Sequence, residues 1–303
     1  MTEQYSPKRW ANDLTAILNA VYQADRFPVK VKQLALDYSN HRFPDDPIAD
    51  VIGEVLPGFD GGLYRAEDGK KGWGIIYNKA IRSTGRINFT LAHEFGHYLL
   101  HRLEHPDGFR CGDEDMARWD SEYGQLESQA NDFASTLLMP LDDFRRQIDA
   151  LAKPDIDALG MCADRYEVSL IASVLRWLQY TERRSILVVS RDGFILWARS
   201  SIPALKSGAF FRTANRSPVS IPSASLAAQR NLVDGCKGAA DMDGGAWLKE
   251  PCREEVLFSD QYDFTISLLH LGEARSRFDL EEEAKEDTFD RLIGRTPSSS
   301  WLA

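Results

Sequence analysis

Long apolar runs, paired cysteines and basic clusters are all missing from this chain, and each absence removes a class of protein. No apolar stretch approaches the roughly 20 residues needed to cross a bilayer, so no membrane span is expected. The four cysteines, Cys111, Cys162, Cys236 and Cys252, are scattered without a C-x-x-C pair. That spacing argues against a disulfide framework and for free thiols in a reducing compartment. The opening MTEQYSPKRWANDL is polar and lacks the basic-then-apolar layout of a secretory signal, so a cytoplasmic location is expected. With a net charge of -10 and no basic run, the chain repels phosphate backbones at long range, and DNA binding is not expected. There is no internal repeat and no low-complexity block.

What is present is an ordinary globular composition, 43% apolar and 27% charged, in 303 residues, enough for two domains. Ser6-Pro7 can cap and open a first helix, with Trp10, Leu14, Leu18 and Tyr22 at spacings of four. Pro28 to Ser39 starts a second. Between Gly62 and Lys79, "GLYR" and "GWGIIYNK" flank a polar "AEDGKK", the pattern of a two-stranded hairpin. Apolar positions from Ile87 to Arg102 recur with helical spacing and predict a buried helix. A loop rich in acids, Gly and Pro follows, then helices from Gln125 to Met139, from Leu141, and from Asp155 to Tyr166. The last of these, with "EVS" and the helix from Ser169, has a helix-turn-helix outline. Apart from Arg176 its second helix offers no basic or amide-bearing exposed position, so the reading adopted is a packed αα-corner. Trp177 and Trp197 read as core residues.

After Arg184 the texture changes to strand pairs, "SILVVSRDGFILWARSS" around Arg-Asp-Gly and "REEVLFSDQYDFTISLLHL", separated by a loop-rich stretch with at most one short helix. The expected fold class is therefore α+β. Residues 1–182 would form a mostly helical domain with a small sheet, residues 183–280 an α+β domain, and residues 281–303 an acidic, weakly ordered tail.

The chemistry concentrates in "FTLAHEFGHYLLH", residues Phe89 to His101. His93 and His97, four apart on a helix, project about 40° from one another and one turn along the axis, so both imidazoles can meet one ion. A catalytic zinc takes three protein ligands at about 2.0–2.1 Å and keeps an open water position. Glu94, at the edge of that face, is placed to reach the water rather than the metal. Candidates for a third ligand are His101, Cys111, the acids of the loop and Glu127. His101 stands about 12 Å along the axis from His93 on an unbroken helix and cannot share its ion; it reads as a helix-end residue favourable to the dipole. Glu127 is better placed, since "ESQAN" opens a second long helix with a small, polar face. Asn131, one turn on, could hold a ligating imidazole through its other nitrogen. Cys111 could instead close the fourth position and keep the site latent until oxidised, although an ordinary loop thiol is the simpler reading.

"FTLAHEFGHYLLH" followed by "ESQANDFASTLLMP" resembles the ImmA/IrrE family of bacterial metallopeptidases, with an H-E-x-x-H helix and a downstream E-x-x-A-N-x-F-A helix. The resemblance covers about residues 28 to 180. It implies a zincin-like domain, zinc held by His93, His97 and Glu127, and Glu94 as catalytic base. It further implies a protein substrate, a helix-turn-helix repressor cut so that stress or mobile-element genes are switched on. Some members carry a GAF-like C-terminal sensor domain, which here would make 183–280 the place where a small molecule or protein signal is received.

Two expectations about the site follow from zinc peptidase chemistry. "GWGIIYNK" would be the edge strand against which an extended substrate pairs. A second electrophilic group would assist the oxyanion, with Tyr123, His105 and Arg110 as candidates. The rival reading is a non-proteolytic regulator that binds a repressor or DNA, and a weaker one is a general aminopeptidase.

Overall fold

The computed structural model describes residues 5–66, 71–112, 122–213, 217–259 and 263–274. Helix α1 (Pro7–Tyr22) opens as its sequence dictates: the Ser6 side chain accepts from the Arg9 amide, and Pro7 occupies a position where a missing N–H costs nothing. Leu14 and Leu18 of its stripe are buried and Trp10 is half-buried, whereas Tyr22 is exposed at the helix end. Helix α2 (Val31–Arg42) follows.

Strands β2 (Phe59–Arg65) and β3 (Trp73–Asn78) form the expected antiparallel hairpin. Two strands that local alternation does not announce complete the sheet. β1 (Ile48–Glu54) runs parallel to β3, and β4 (Gly108–Gly112) runs antiparallel to β2, giving the order β1-β3-β2-β4. Two expectations are corrected here. The segment after the His-rich helix is not all loop, because Gly108, at φ 89, turns the chain into β4. Nor is β3 an edge strand: β1 and β2 bond to both its sides, so its backbone groups are already paired and an extended substrate has nothing to add to.

Helix α3 (Thr84–His101) starts at Ser83, whose side chain accepts from the Arg86 amide. It packs against β2 and β3 as well as α4 (Glu122–Leu138), and every residue from Thr90 to Leu99 is buried. Helix α5 (Leu141–Gln147) comes next. Helix α6 (Ile156–Tyr166) is capped by Asp155 and ends at Glu167 in the left-handed region, φ 51; α7 (Leu170–Leu178) is capped by Ser169. This is the predicted corner, with its predicted cap.

Strands β5 (Ser185–Arg191) and β6 (Phe194–Ser200) are joined through Asp192 and Gly193, both at positive φ, as a tight hairpin requires. A short helix α8 (Ile202–Lys206), β7 (Val219–Ser220), β8 (Lys237–Met242), β9 (Cys252–Ser259) and β10 (Phe264–Leu271) complete a six-stranded antiparallel sheet in the order β7-β6-β5-β10-β9-β8. The stretch read as loop with one helix thus also contributes β7 and β8.

Alternation divides this sheet between two cores. Leu187, Val189, Ile266 and Leu268 join the large core that also holds α1, α3, α4, α6 and α7, while Ile186, Val188, Leu269 and Leu271 face a second core with Ala204 and Trp247. A polar contact keys the sheet to the helices: the Glu255 carboxylate accepts from the Ile156 amide at 2.9 Å, at the positive end of α6. Residues 1–271 form one compact unit. The acidic segment 281–303 lies outside the described residues.

Candidate metal centre

Two glycines set the clearances around α3. Gly61 of β2 faces the helix: a methyl group there would collide with Thr90 Cγ2 and stand 3.5 Å from Glu94 Oε1. Gly96, the one weak helix former in the middle of α3, faces α4, where a Cβ would lie 2.9 Å from Phe133 Cδ1 and 3.4 Å from the Ala130 Cα. Helix formation alone would favour Ala at this position by about 1 kcal/mol. The closeness of α4 is what glycine permits.

That approach brings Glu127 and Asn131, one turn apart on α4, against His93 and His97, one turn apart on α3. The two imidazole Nε2 atoms are 3.0 Å apart. Glu127 Oε2 lies 3.1 Å from His93 Nε2, and its Oε1 lies 3.2 Å from His97 Nε2. All three residues are buried, and among the described residues they form the one group of His, Cys, Asp or Glu side chains with donor atoms close enough to share an ion.

The outer nitrogens explain why these atoms converge. His93 Nδ1 is 3.0 Å from Asn131 Oδ1. An amide oxygen only accepts, so this nitrogen carries a proton and, in the neutral ring, Nε2 is left as a bare lone pair. His97 Nδ1 is 3.0 Å from His101 Nδ1, and His101 Nε2 is 3.1 Å from Gln129 Oε1. If the Gln129 oxygen takes the His101 Nε2 proton, His101 Nδ1 accepts from His97 Nδ1, and His97 Nε2 is bare as well. Two lone pairs and a carboxylate then face one point and repel unless a cation lies between them. Three ligands at about 2.0–2.1 Å from a tetrahedral zinc stand about 3.3 Å from one another, close to the spacings found.

The electrostatics agree. Burial works to lower the His93 pKa, but the hydrogen bond that His93 donates to Glu127 and the charges of Glu94 and Glu127 outweigh it and the pKa rises. His97 goes the other way, to about 3, chiefly by burial. Burial would raise the Glu127 pKa, yet hydrogen bonds to both histidines carry it well below the usual carboxylate range. The cluster recruits positive charge, from a proton or from a metal. Glu94, adjacent to His93 in sequence, is also buried.

Several sequence expectations need revision or relocation. His101 is the last residue of α3, the helix-end place read from the sequence, and it is buried there with its ring against His97 and Gln129. The signal was in the sequence, since His97 and His101 repeat the spacing of His93 and His97. Arg176, read as the one exposed basic group of the corner, is buried and donates to the Met139 carbonyl at 2.7 Å and to Gln179 Oε1. Of the oxyanion candidates, His105 lies just beyond α3, where its amide donates to the His101 carbonyl. Arg110 lies on β4 and Tyr123 at the start of α4, but their side chains are outside the described residues. The same holds for Cys111, whose backbone stands opposite Gly61 in the β2–β4 ladder.

A buried His-His-carboxylate group on two packed helices could hold a metal ion in the arrangement that hydrolytic enzymes use. Residues 45–178, which contain it, match the family model Peptidase_M78, described as the IrrE N-terminal-like domain, and this segment is similar to that peptidase family. A comparison with curated proteins gave no match. The family supports a metallopeptidase-type function acting on a protein substrate. Among the described residues, no helix is long and apolar enough to cross a membrane.

Proposed function

We propose that this protein is a zinc-dependent endopeptidase of zincin-like build, with zinc held by His93, His97 and Glu127 and with Glu94 as general base. The observation that carries the reading is the convergence of two imidazole Nε2 atoms and a carboxylate beside a buried Glu94. When bound, zinc supplies Lewis acidity, making a water acidic enough to be deprotonated near neutral pH and polarising the scissile carbonyl. Glu94 takes the proton from the attacking water and delivers it to the leaving amine, so that one carboxyl group serves both halves of the hydrolysis. Asn131 holds the His93 ring so that Nε2 points inward. Of the two edge strands of the described sheet, β1 and β4, the one assigned here to receive an extended peptide is β4, whose neighbour β2 packs on α3.

For the biological substrate, the reading is a helix-turn-helix transcriptional repressor, cut at a defined site in the cytoplasm to derepress stress or mobile-element genes. Residues 183–280 would form a GAF-like domain that receives a signal or docks a partner, a reading supported by the six-stranded antiparallel sheet within them. The acidic charge and the burial of Arg176 in the corner support recognition of protein rather than DNA. The test is to incubate the zinc-loaded protein with the helix-turn-helix repressor encoded beside its gene and to look for fragments by mass spectrometry. A single pair of fragments that disappears with Glu94→Gln is the expected result. An intact repressor that nevertheless binds the protein would favour the non-proteolytic regulator instead, and release of single residues from short unblocked peptides would favour an aminopeptidase.

A further inference from the structure

The contact between His97 and His101 goes beyond the three ligands and the base, although its meaning rests on the reading of the site as a metal centre. A neutral imidazole has one proton, and whichever nitrogen carries it cannot bind a metal. His97 is buried in the middle of α3, so the choice is made by whatever faces its Nδ1, and that is the Nδ1 of His101 at 3.0 Å. Two protons cannot occupy this gap, and two bare nitrogens would repel. One ring therefore donates to the other.

The far side of His101 decides which. Its Nε2 faces the Oε1 of Gln129 at 3.1 Å, an oxygen that can only accept. A proton on His101 Nε2 satisfies Gln129 and leaves His101 Nδ1 as the acceptor, His97 Nδ1 as the donor and His97 Nε2 bare toward Glu127 and His93. Reversing the chain would put a hydrogen on His97 Nε2, in the space between the three ligand atoms. On the other side of the site Asn131 does the same for His93 in one step, through an amide oxygen directly on Nδ1. The two histidines are thus oriented by unlike devices: an amide for one, and for the other an imidazole with an amide behind it.

We propose that His101 is a positioning residue for the metal centre, taking the Nδ1 proton of His97 and so presenting the Nε2 lone pair of His97 to the ion, with Gln129 setting the direction of that hydrogen bond. His101 touches neither ion nor substrate. Because His101 is buried while Gln129 is exposed, water reaches the place of Gln129 as acceptor more easily than that of His101. The two positions should therefore differ in weight.

The experiment measures zinc affinity by competition with a chromophoric chelator, together with the visible spectrum of the cobalt-substituted protein, which reports ligand geometry without turnover. In the full chain, His101→Phe should weaken zinc about 10–100-fold, the range typical of losing an outer partner of a ligating histidine, and should alter the cobalt spectrum. His101→Gln, which restores an accepting oxygen, should recover most of the affinity and the wild-type spectrum. Gln129→Leu should cost less than His101→Phe. A purely structural role predicts loss of thermal stability in the metal-free protein without rescue by Gln. Should His101→Phe fail to fold, as judged by circular dichroism, the comparison of His101→Leu with His101→Gln decides the same point. Wild-type zinc affinity and spectrum in the Phe or Leu variant would overturn the proposal while leaving the metal centre standing. Failure of the wild-type chain to bind zinc would overturn both.

Discussion

Gly96 and Phe133 touch across the α3–α4 interface with no room for a methyl group, since a Cβ on Gly96 would lie 2.9 Å from the Phe133 ring. This contact lies at the crossing that carries Glu127 to the histidines. Gly96→Ala gains helix propensity but overpacks the crossing, and the second effect is the larger: about 1–3 kcal/mol against about 1 kcal/mol. The expected outcome is a less stable protein with weaker zinc binding, measured by urea denaturation and zinc titration. Unchanged stability and affinity would mean that α4 can shift at no cost and that the glycine does not set the spacing.

Glu94→Gln preserves shape and removes the proposed base. Zinc should still bind, because the carboxylate is not among the three converging ligand groups. Peptide cleavage should fall by about 10²–10⁴-fold, the usual contribution of a positioned general base. Undiminished cleavage by this variant rules out the role assigned to Glu94.

Glu127 supplies the charged member of the cluster, 3.1 and 3.2 Å from the two imidazoles. Zinc at a hundred times its dissociation constant should stabilise the wild-type chain by about 2.7 kcal/mol, and a chelator should remove that increment. In Glu127→Ala the melting temperature should become insensitive to both zinc and chelator. A zinc-dependent shift of wild-type size in that variant would show that the ion sits elsewhere.

His270 couples the second sheet to pH. Its Nδ1 lies 3.1 Å from Ser185 Oγ, and its ring stands against Trp177 of the helical corner. Burial first, then the charge of Lys153, pushes its pKa from 6.5 down to about 4. In the unfolded chain the ring takes a proton as pH falls below 6.5, whereas in the folded chain it resists until about 4. The unfolded state therefore binds more protons over this window, and stability present above it is lost as pH drops, by up to roughly 3 kcal/mol. His270→Gln should flatten the fall in urea midpoint between pH 6.5 and 4. A slope identical to wild type would place the acid sensitivity in other groups.

Much of the site was legible because it is local. The spacing of His93 and His97, the caps at Ser6 and Ser169, and the turn at Asp192-Gly193 are each set within a few residues by helix period or backbone preference. Strand β1, strand β4 and the interior position of β3 were not legible, because a strand's neighbours are chosen by chain segments far away in sequence. The buried state of Arg176 escaped for a related reason: its partner is the Met139 carbonyl at the end of α4, and no pattern within α7 announces it.

The sequence by itself determined that two imidazoles share one face of a helix with a carboxylate beside them, since 3.6 residues per turn leaves no other arrangement for positions 93, 94 and 97. It also determined that Gly stands where Ala would make a better helix. Only the tertiary structure decided why. Packing without a Cβ lets a second helix approach until Glu127 reaches both rings, and the same packing buries His101 against His97. The proton of an imidazole goes where a neighbouring acceptor draws it, and that neighbour exists only once the helices have closed.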